Sequence, residues 1–174
     1  MRVVDGESDV KSIAEKFASI FKSVCVPYSV AQHNVFRNAF EEDFKQYKAD
    51  VRPDFICNSV LVDTCIRKLK CGKAAGCDGL TAEHLLYAHP ILSMLLSHLF
   101  DMMLKCNVVP TDFGKGIIIP LVINLDGDKT SSDNYRGITL SPVISKVFEL
   151  LIMNMVEGKL HSSELQFGFK ARSS

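Results

Sequence analysis

GIIIPLVINLDGDKTSSDNYRGITL, residues 116–140, is the stretch on which the reading of this chain turns. Two β-type runs, 117–119 and 121–123, lead into a polar loop at 124–134. The chain then returns through Tyr135-Arg136-Gly137-Ile138-Thr139-Leu140. An apolar run, an Asp-Gly turn signal and a second β-branched run predict a hairpin with a long tip. Arg136 opens the return strand and is the only arginine between Arg67 and Arg172. A guanidinium on a strand beside a polar loop suits a phosphate group, because its fork makes paired hydrogen bonds to oxyanions. The other reading is a surface arginine paired with Asp126, Asp128 or Asp133, an arrangement that signifies little.

Outside the hairpin the pattern is helical. Val10, Ile13, Phe17, Ile20, Phe21 and Val24 recur on one face of a helix predicted over residues 9–25, which Pro27 stops. Phe36, Phe40, Phe44 and Tyr47 mark a second helix before Pro53. An aromatic stripe at this spacing reads as core rather than as a platform for stacking bases. A third helix over 59–70 places Val62, Cys65, Ile66 and Leu69 inward, with Gly72 as its stop. After a glycine-containing loop at 73–79, Thr81 caps the next helix, with Leu80 and Leu85 as a hydrophobic staple. Helix resumes at Pro90, with Leu92, Leu95, Leu96, Leu99 and Met103 inward and His98 and Asp101 outward. Pro110 ends it. Beyond the hairpin, Ser141-Pro142 starts a last helix with Ile144, Val147, Phe148, Leu151 and Met155 as its buried stripe, closed by Gly158.

The chain has 174 residues and 47% hydrophobic content, enough for a packed core and inconsistent with a disordered tail. Its 20 basic and 20 acidic residues cancel. That balance argues against autonomous tight binding to nucleic acid, where phosphate neutralisation dominates affinity. Locally the sign differs: Arg67, Lys68, Lys70 and Lys73 outnumber Asp63 and Asp78. The six cysteines include no Cys-x-x-Cys pair, and the chain has no His-x-x-x-His. Without a signal peptide, their even number does not imply disulfides, and an intracellular, reducing compartment is expected. The longest apolar segment, 90–104, is broken by Ser93, Ser97, His98 and Asp101; it reads as a core helix, with no membrane anchor.

Two motifs fail on inspection. A P-loop around Gly72-Lys73 would need glycine where Arg67 stands and a hydroxyl where Ala74 stands. A calcium loop beginning Asn124, Asp126, Asp128 would need glycine at Lys129 and glutamate at Tyr135. No metal site is expected in this chain.

Four segments, in order, resemble the reverse transcriptases of LINE-type (non-LTR) retrotransposons. They are KCGKAAGCDGLTAE (70–83), the hairpin with Asn134-Tyr135-Arg136-Gly137-Ile138, SPVISKVFE (141–149) and LQFGFK (165–170). The resemblance is strong over 66–174; upstream, 13–24 is similar to the linker helix before that polymerase. It implies an α+β fold, mostly helical, forming the fingers and the start of the palm of a right-hand polymerase with one long β-hairpin. Residues 1–56 would be a helical segment upstream, and 57–174 a partial polymerase domain.

By that resemblance, Arg136 reaches the triphosphate of the incoming nucleotide, with Lys129 as a second candidate cation. Lys70, Lys73, Gly76, Asp78 and Gly79 lie near the template, and RNA and nucleotides are the partners. The family's companion lysine is Ile123 here, and its proline is Cys77. Its Mg²⁺-binding aspartates, including an Asp-Asp turn, follow the Gln-x-Gly-Phe block, whereas this chain has no Asp-Asp pair and ends at Ser174. The expectation is a fragment of an RNA-directed DNA polymerase, inactive alone, without a cofactor of its own, and nuclear if it follows the family. The alternatives are a non-enzymatic module that binds RNA or a protein partner, and a relic open reading frame.

Overall fold

A computed structural model describes residues 3–26, 30–46 and 57–156. Tyr47, the prolines at 27 and 53, Gly158 and the segment 165–170 lie outside them. The described elements are mostly helical with one antiparallel hairpin, the α+β class. Contacts group the chain into two compact units: Met1–Asp54 with Ile117–Leu140, and Phe55–Gly116 with Ser141–Ser174.

In the first unit, α1 (Val10–Val24) begins at Asp9, whose carboxylate accepts from the Ser12 amide at 3.0 Å. α2 (Val30–Gln46) follows. The strands β1 (Ile117–Val122) and β2 (Tyr135–Leu140) pair in antiparallel register, Leu121 opposite Arg136 and Pro120 opposite Gly137. Strand side chains alternate between faces. One hairpin face receives α1: the Phe17 and Tyr135 ring centroids are 5.0 Å apart, and Phe17 stacks on Phe21 at 5.7 Å. Gly137 is needed there, since a Cβ would meet Phe21 Cε2 at 3.2 Å and Ile118 Cγ2 at 3.0 Å.

Only part of the predicted α1 stripe is used. Phe17 is buried, whereas Val10 and Val24, at the ends of the helix, are exposed. The aromatic stripe of α2 departs further from expectation. Phe36, Phe40 and Phe44 are all exposed, Phe40 and Phe44 stacking on each other at 5.8 Å. Periodicity marks an apolar face but does not supply a neighbour to cover it.

The second unit holds the larger core. α3 (Ser59–Arg67) packs on α4 (Ala82–Leu86), α5 (Ile91–Cys106) and α6 (Val143–Val156). Asn58 caps α3 through its side-chain oxygen, 2.8 Å from the Leu61 amide. At the centre, Val62, Cys65, Phe100, Val147 and Leu151 are essentially inaccessible. Burying each large aliphatic or aromatic side chain is worth about 1.5–3 kcal/mol. Phe148 joins Phe100 at 5.2 Å and Phe113 at 6.2 Å. On α5 the inward face is Ser93, Leu96, Ser97, Phe100 and Met103; Leu95, expected inside, is exposed. Ser97 is tolerated inside because its hydroxyl donates to the Met94 carbonyl at 2.7 Å.

Candidate functional site

The candidate residues fall into both units. In the first, the tip of the hairpin is built around Asn134. Its side-chain oxygen accepts from the Asn124 amide at 2.9 Å. Its side-chain nitrogen donates to the carbonyls of Asn124 at 2.9 Å and Asp128 at 3.1 Å. The Tyr135 hydroxyl donates to the Lys129 carbonyl at 2.9 Å. Asp128 holds the Thr130 hydroxyl at 2.6 Å and its amide at 2.8 Å, contacts that lower the carboxyl's pKa. From the N-terminal turn, Asp5 donates its amide to the Thr130 carbonyl at 2.7 Å and accepts from the Ser132 amide at 3.0 Å. These Ser132 contacts lower the Asp5 pKa too. The tip is therefore an ordered scaffold in which the carboxylates of Asp5 and Asp128 are occupied by backbone amides and a hydroxyl.

That occupation bears on Arg136. The expected surface pairing with Asp126, Asp128 or Asp133 does not form; neither Arg136 nor Lys129 has an ion-pair partner among the described residues. Arg136 is exposed on the hairpin face opposite α1, which it shares with the exposed Ile117, Ile119, Leu121 and Ile138. Ile123 is exposed as well, its amide donating to the Asn134 carbonyl at 2.9 Å. A guanidinium on a strand, exposed and without an ion-pair partner among the described residues, can take an oxyanion in a paired, planar contact.

In the second unit, the residues at 70–83 form one structure. The Gly79 amide donates to the Gly76 carbonyl at 3.2 Å, closing a turn, and Gly79 sits at φ +71 where a side chain would be strained. Asp78 accepts from the Leu80 amide at 3.1 Å. Thr81 donates its amide to His84 Nδ1 at 3.0 Å, and Leu80 and the buried Leu85 flank this cap as the staple requires. Glu83 accepts from the Gly72 amide, which lowers its pKa and ties the start of the loop to α4. Gly76 lies against the backbone where α6 begins. Gly76, Asp78 and Gly79 thus hold the shape of the loop, and the cationic side chains it presents are Lys70 and Lys73.

These two lysines line a cavity of about 170 Å³ with Thr81, Ser141 and Lys146. Lys146, on the first turn of α6, was not singled out by sequence. It is one lysine in an apolar helix, and nothing in the spacing of SPVISKVFE announces that it lines the same cavity as Lys70 and Lys73. Elsewhere, burial pushes the Cys57 thiol up to about 11 and raises Cys65, so both are inert. Cys77 Sγ lies 3.8 Å from the Lys115 carbonyl. No helix among the described residues is long and apolar enough to cross a membrane.

Two comparisons bear on this geometry. The chain is 31% identical over 110 residues to a 115 kDa protein in the type-1 retrotransposable element R1DM of Drosophila melanogaster. The chain is similar to a retrotransposon protein. The match takes in 63% of the chain and 11% of that protein's length, so the chain spans about a ninth of its relative. No family model matches the chain.

Proposed function

We propose that this chain is the fingers part of a reverse transcriptase, the RNA-directed DNA polymerase of a non-LTR retrotransposon. Arg136 holds the triphosphate of the incoming nucleotide, Lys129 approaches it from the loop, and Lys70 and Lys73 hold the template. The observation that carries this reading is the exposed guanidinium of Arg136 on β2, which has no ion-pair partner among the described residues, while Asp128 and Asp5 are engaged with Thr130 and Ser132. The similarity to a retrotransposon protein supports it, as does the order of the four sequence blocks. Fixed cations at a transferring phosphoryl group stabilise the charge that develops there. The chain has no adjacent pair of aspartates to clamp two metal ions, so its role is to bind and position. The exposed apolar residues around Arg136 fit a surface that packs on further protein, in keeping with the greater length of the relative.

The test is a chimera completed with the palm of a related active element. Arg136→Ala should weaken nucleotide affinity by about 10- to 100-fold, the equivalent of about 1.5–3 kcal/mol for a charge-assisted contact. Ile123→Lys, which restores the cation of the resembled family, should strengthen it. An active chimera indifferent to both substitutions would return Arg136 to the role of an ordinary surface arginine.

A further inference from the structure

The cavity beside α6 has a chemistry that its individual residues do not disclose. It is lined by three ammonium-bearing side chains, Lys70, Lys73 and Lys146, and by two hydroxyl residues, Thr81 and Ser141. The rest of the lining is aliphatic: Leu69, Ala74, Leu80, Ala82 and Val143. No carboxylate lines it, and none of the three lysines has an ion-pair partner among the described residues. Like charges gathered without a counter-ion repel one another, a cost that a bound anion removes.

Its lining restricts the anion. A cavity of about 170 Å³ has room for a phosphate group. No aromatic side chain lines it, so nothing there can stack on a base. The start of α6, a helix of 14 residues, borders it through Ser141 and Val143 and adds the positive end of its dipole.

We propose that this cavity holds one backbone phosphate of a single RNA strand, with Lys146 as its third cationic ligand beside Lys70 and Lys73. The site is indifferent to base identity, because it touches only the phosphate. Lys146 approaches from α6 and the other two from the loop, so the phosphate bridges segments that are far apart in sequence. This inference rests on the template reading of the preceding subsection and adds to it a location and a residue.

The experiment measures affinity of the purified chain for short labelled oligouridylate and oligoadenylate by fluorescence anisotropy, between about 50 and 200 mM salt. Each phosphate contact to a single strand contributes about 0.7 to the slope of log affinity against log salt. Lys146→Gln should therefore lower the slope by about 0.7 and weaken binding about three- to tenfold, equally for both oligomers. Lys70→Gln and Lys73→Gln should act alike, and Lys146→Arg should restore binding, which separates lost charge from lost folding. Lys105→Gln, at a lysine paired with Asp101, should change the slope little. RNA binding that ignores Lys146, Lys70 and Lys73 would overturn the pocket and leave the template reading standing. An absence of RNA binding at the lowest salt would overturn both. In a second arm, free nucleoside triphosphate is added at matched ionic strength. Retained oligouridylate supports the strand assignment; displacement with loss of the Lys146 effect would give the pocket to a free phosphate and overturn it.

Discussion

Gly76 lies so close to Pro142 that a single added methyl would collide with it: a Cβ on Gly76 would sit 2.9 Å from the Pro142 nitrogen and 2.9 Å from the Ser141 carbonyl oxygen. Both neighbours are backbone, which cannot swing aside as a side chain would. The contact sets the distance between the lysine-bearing loop and the start of α6, and so sets the width of the cavity they share.

Gly76→Ala should therefore destabilise the second unit by about 1–3 kcal/mol through overpacking. Urea denaturation compared with Gly114→Ala is the measurement, since Gly114 has open space around it and an ordinary φ. Equal midpoints for the two variants would mean that the loop and α6 separate without cost.

The Glu83 carboxylate gives the same loop a pH dependence. Its pKa is lowered from 4.5, first by the Gly72 amide that it accepts. A lowered carboxyl contributes stability that is present above its unfolded value and is lost as pH falls through the folded one. The Gly72 amide resonance should hold steady above pH 5 and titrate with a midpoint below 4.5. Glu83→Gln should abolish that titration. A Gly72 resonance that still titrates in this variant would assign the pH response to another group.

The cysteines offer a test of the core. Cys25, Cys71, Cys77 and Cys106 are exposed, whereas Cys57 and Cys65 are buried. An alkylating reagent should modify the first four quickly in the native protein and all six only after denaturation. Burial favours the neutral Cys57 thiol, so its contribution to stability is complete below pH 9 and declines as pH rises through about 11. A melting temperature that falls over that window more in the parent than in Cys57→Ala is the expected outcome. Rapid native labelling at Cys57 would contradict the burial.

Asn134→Ala removes three hydrogen bonds from the tip of the hairpin at once. Neutral hydrogen bonds contribute about 0.5–1.5 kcal/mol each, and the tip is solvent-facing, so a local loss of about 1–2 kcal/mol is expected. Hydrogen exchange should accelerate at the Asn124 amide more than at amides of α3 or α6. Unchanged protection there would mean that Asp5 and Tyr135 hold the tip without Asn134.

Much of the fold was legible in the sequence because local rules govern it. The antiparallel hairpin follows from two β-type runs around an Asp-Gly loop, and the cap at Thr81 falls where a short polar side chain precedes an apolar run. The inward Val62, Cys65, Ile66, Val147 and Leu151 were equally clear, since helical periodicity and a real neighbour agree there. The failures share one cause. Phe36, Phe40, Phe44 and Leu95 satisfy the periodicity and remain exposed, because a stripe is buried only if another element is delivered to it.

The sequence by itself determined the element types and the position of Arg136 on the return strand. These depend on residue type and on separations of a few positions. Tertiary structure alone decided that Arg136 has no ion-pair partner among the described residues, that Gly76 is a spacer against Pro142, and that Lys146 lines one cavity with Lys70 and Lys73. Each of these depends on how packing places residues that the chain separates. A one-dimensional pattern holds no distance between them; the close approach of backbones and the direction of side chains supply it.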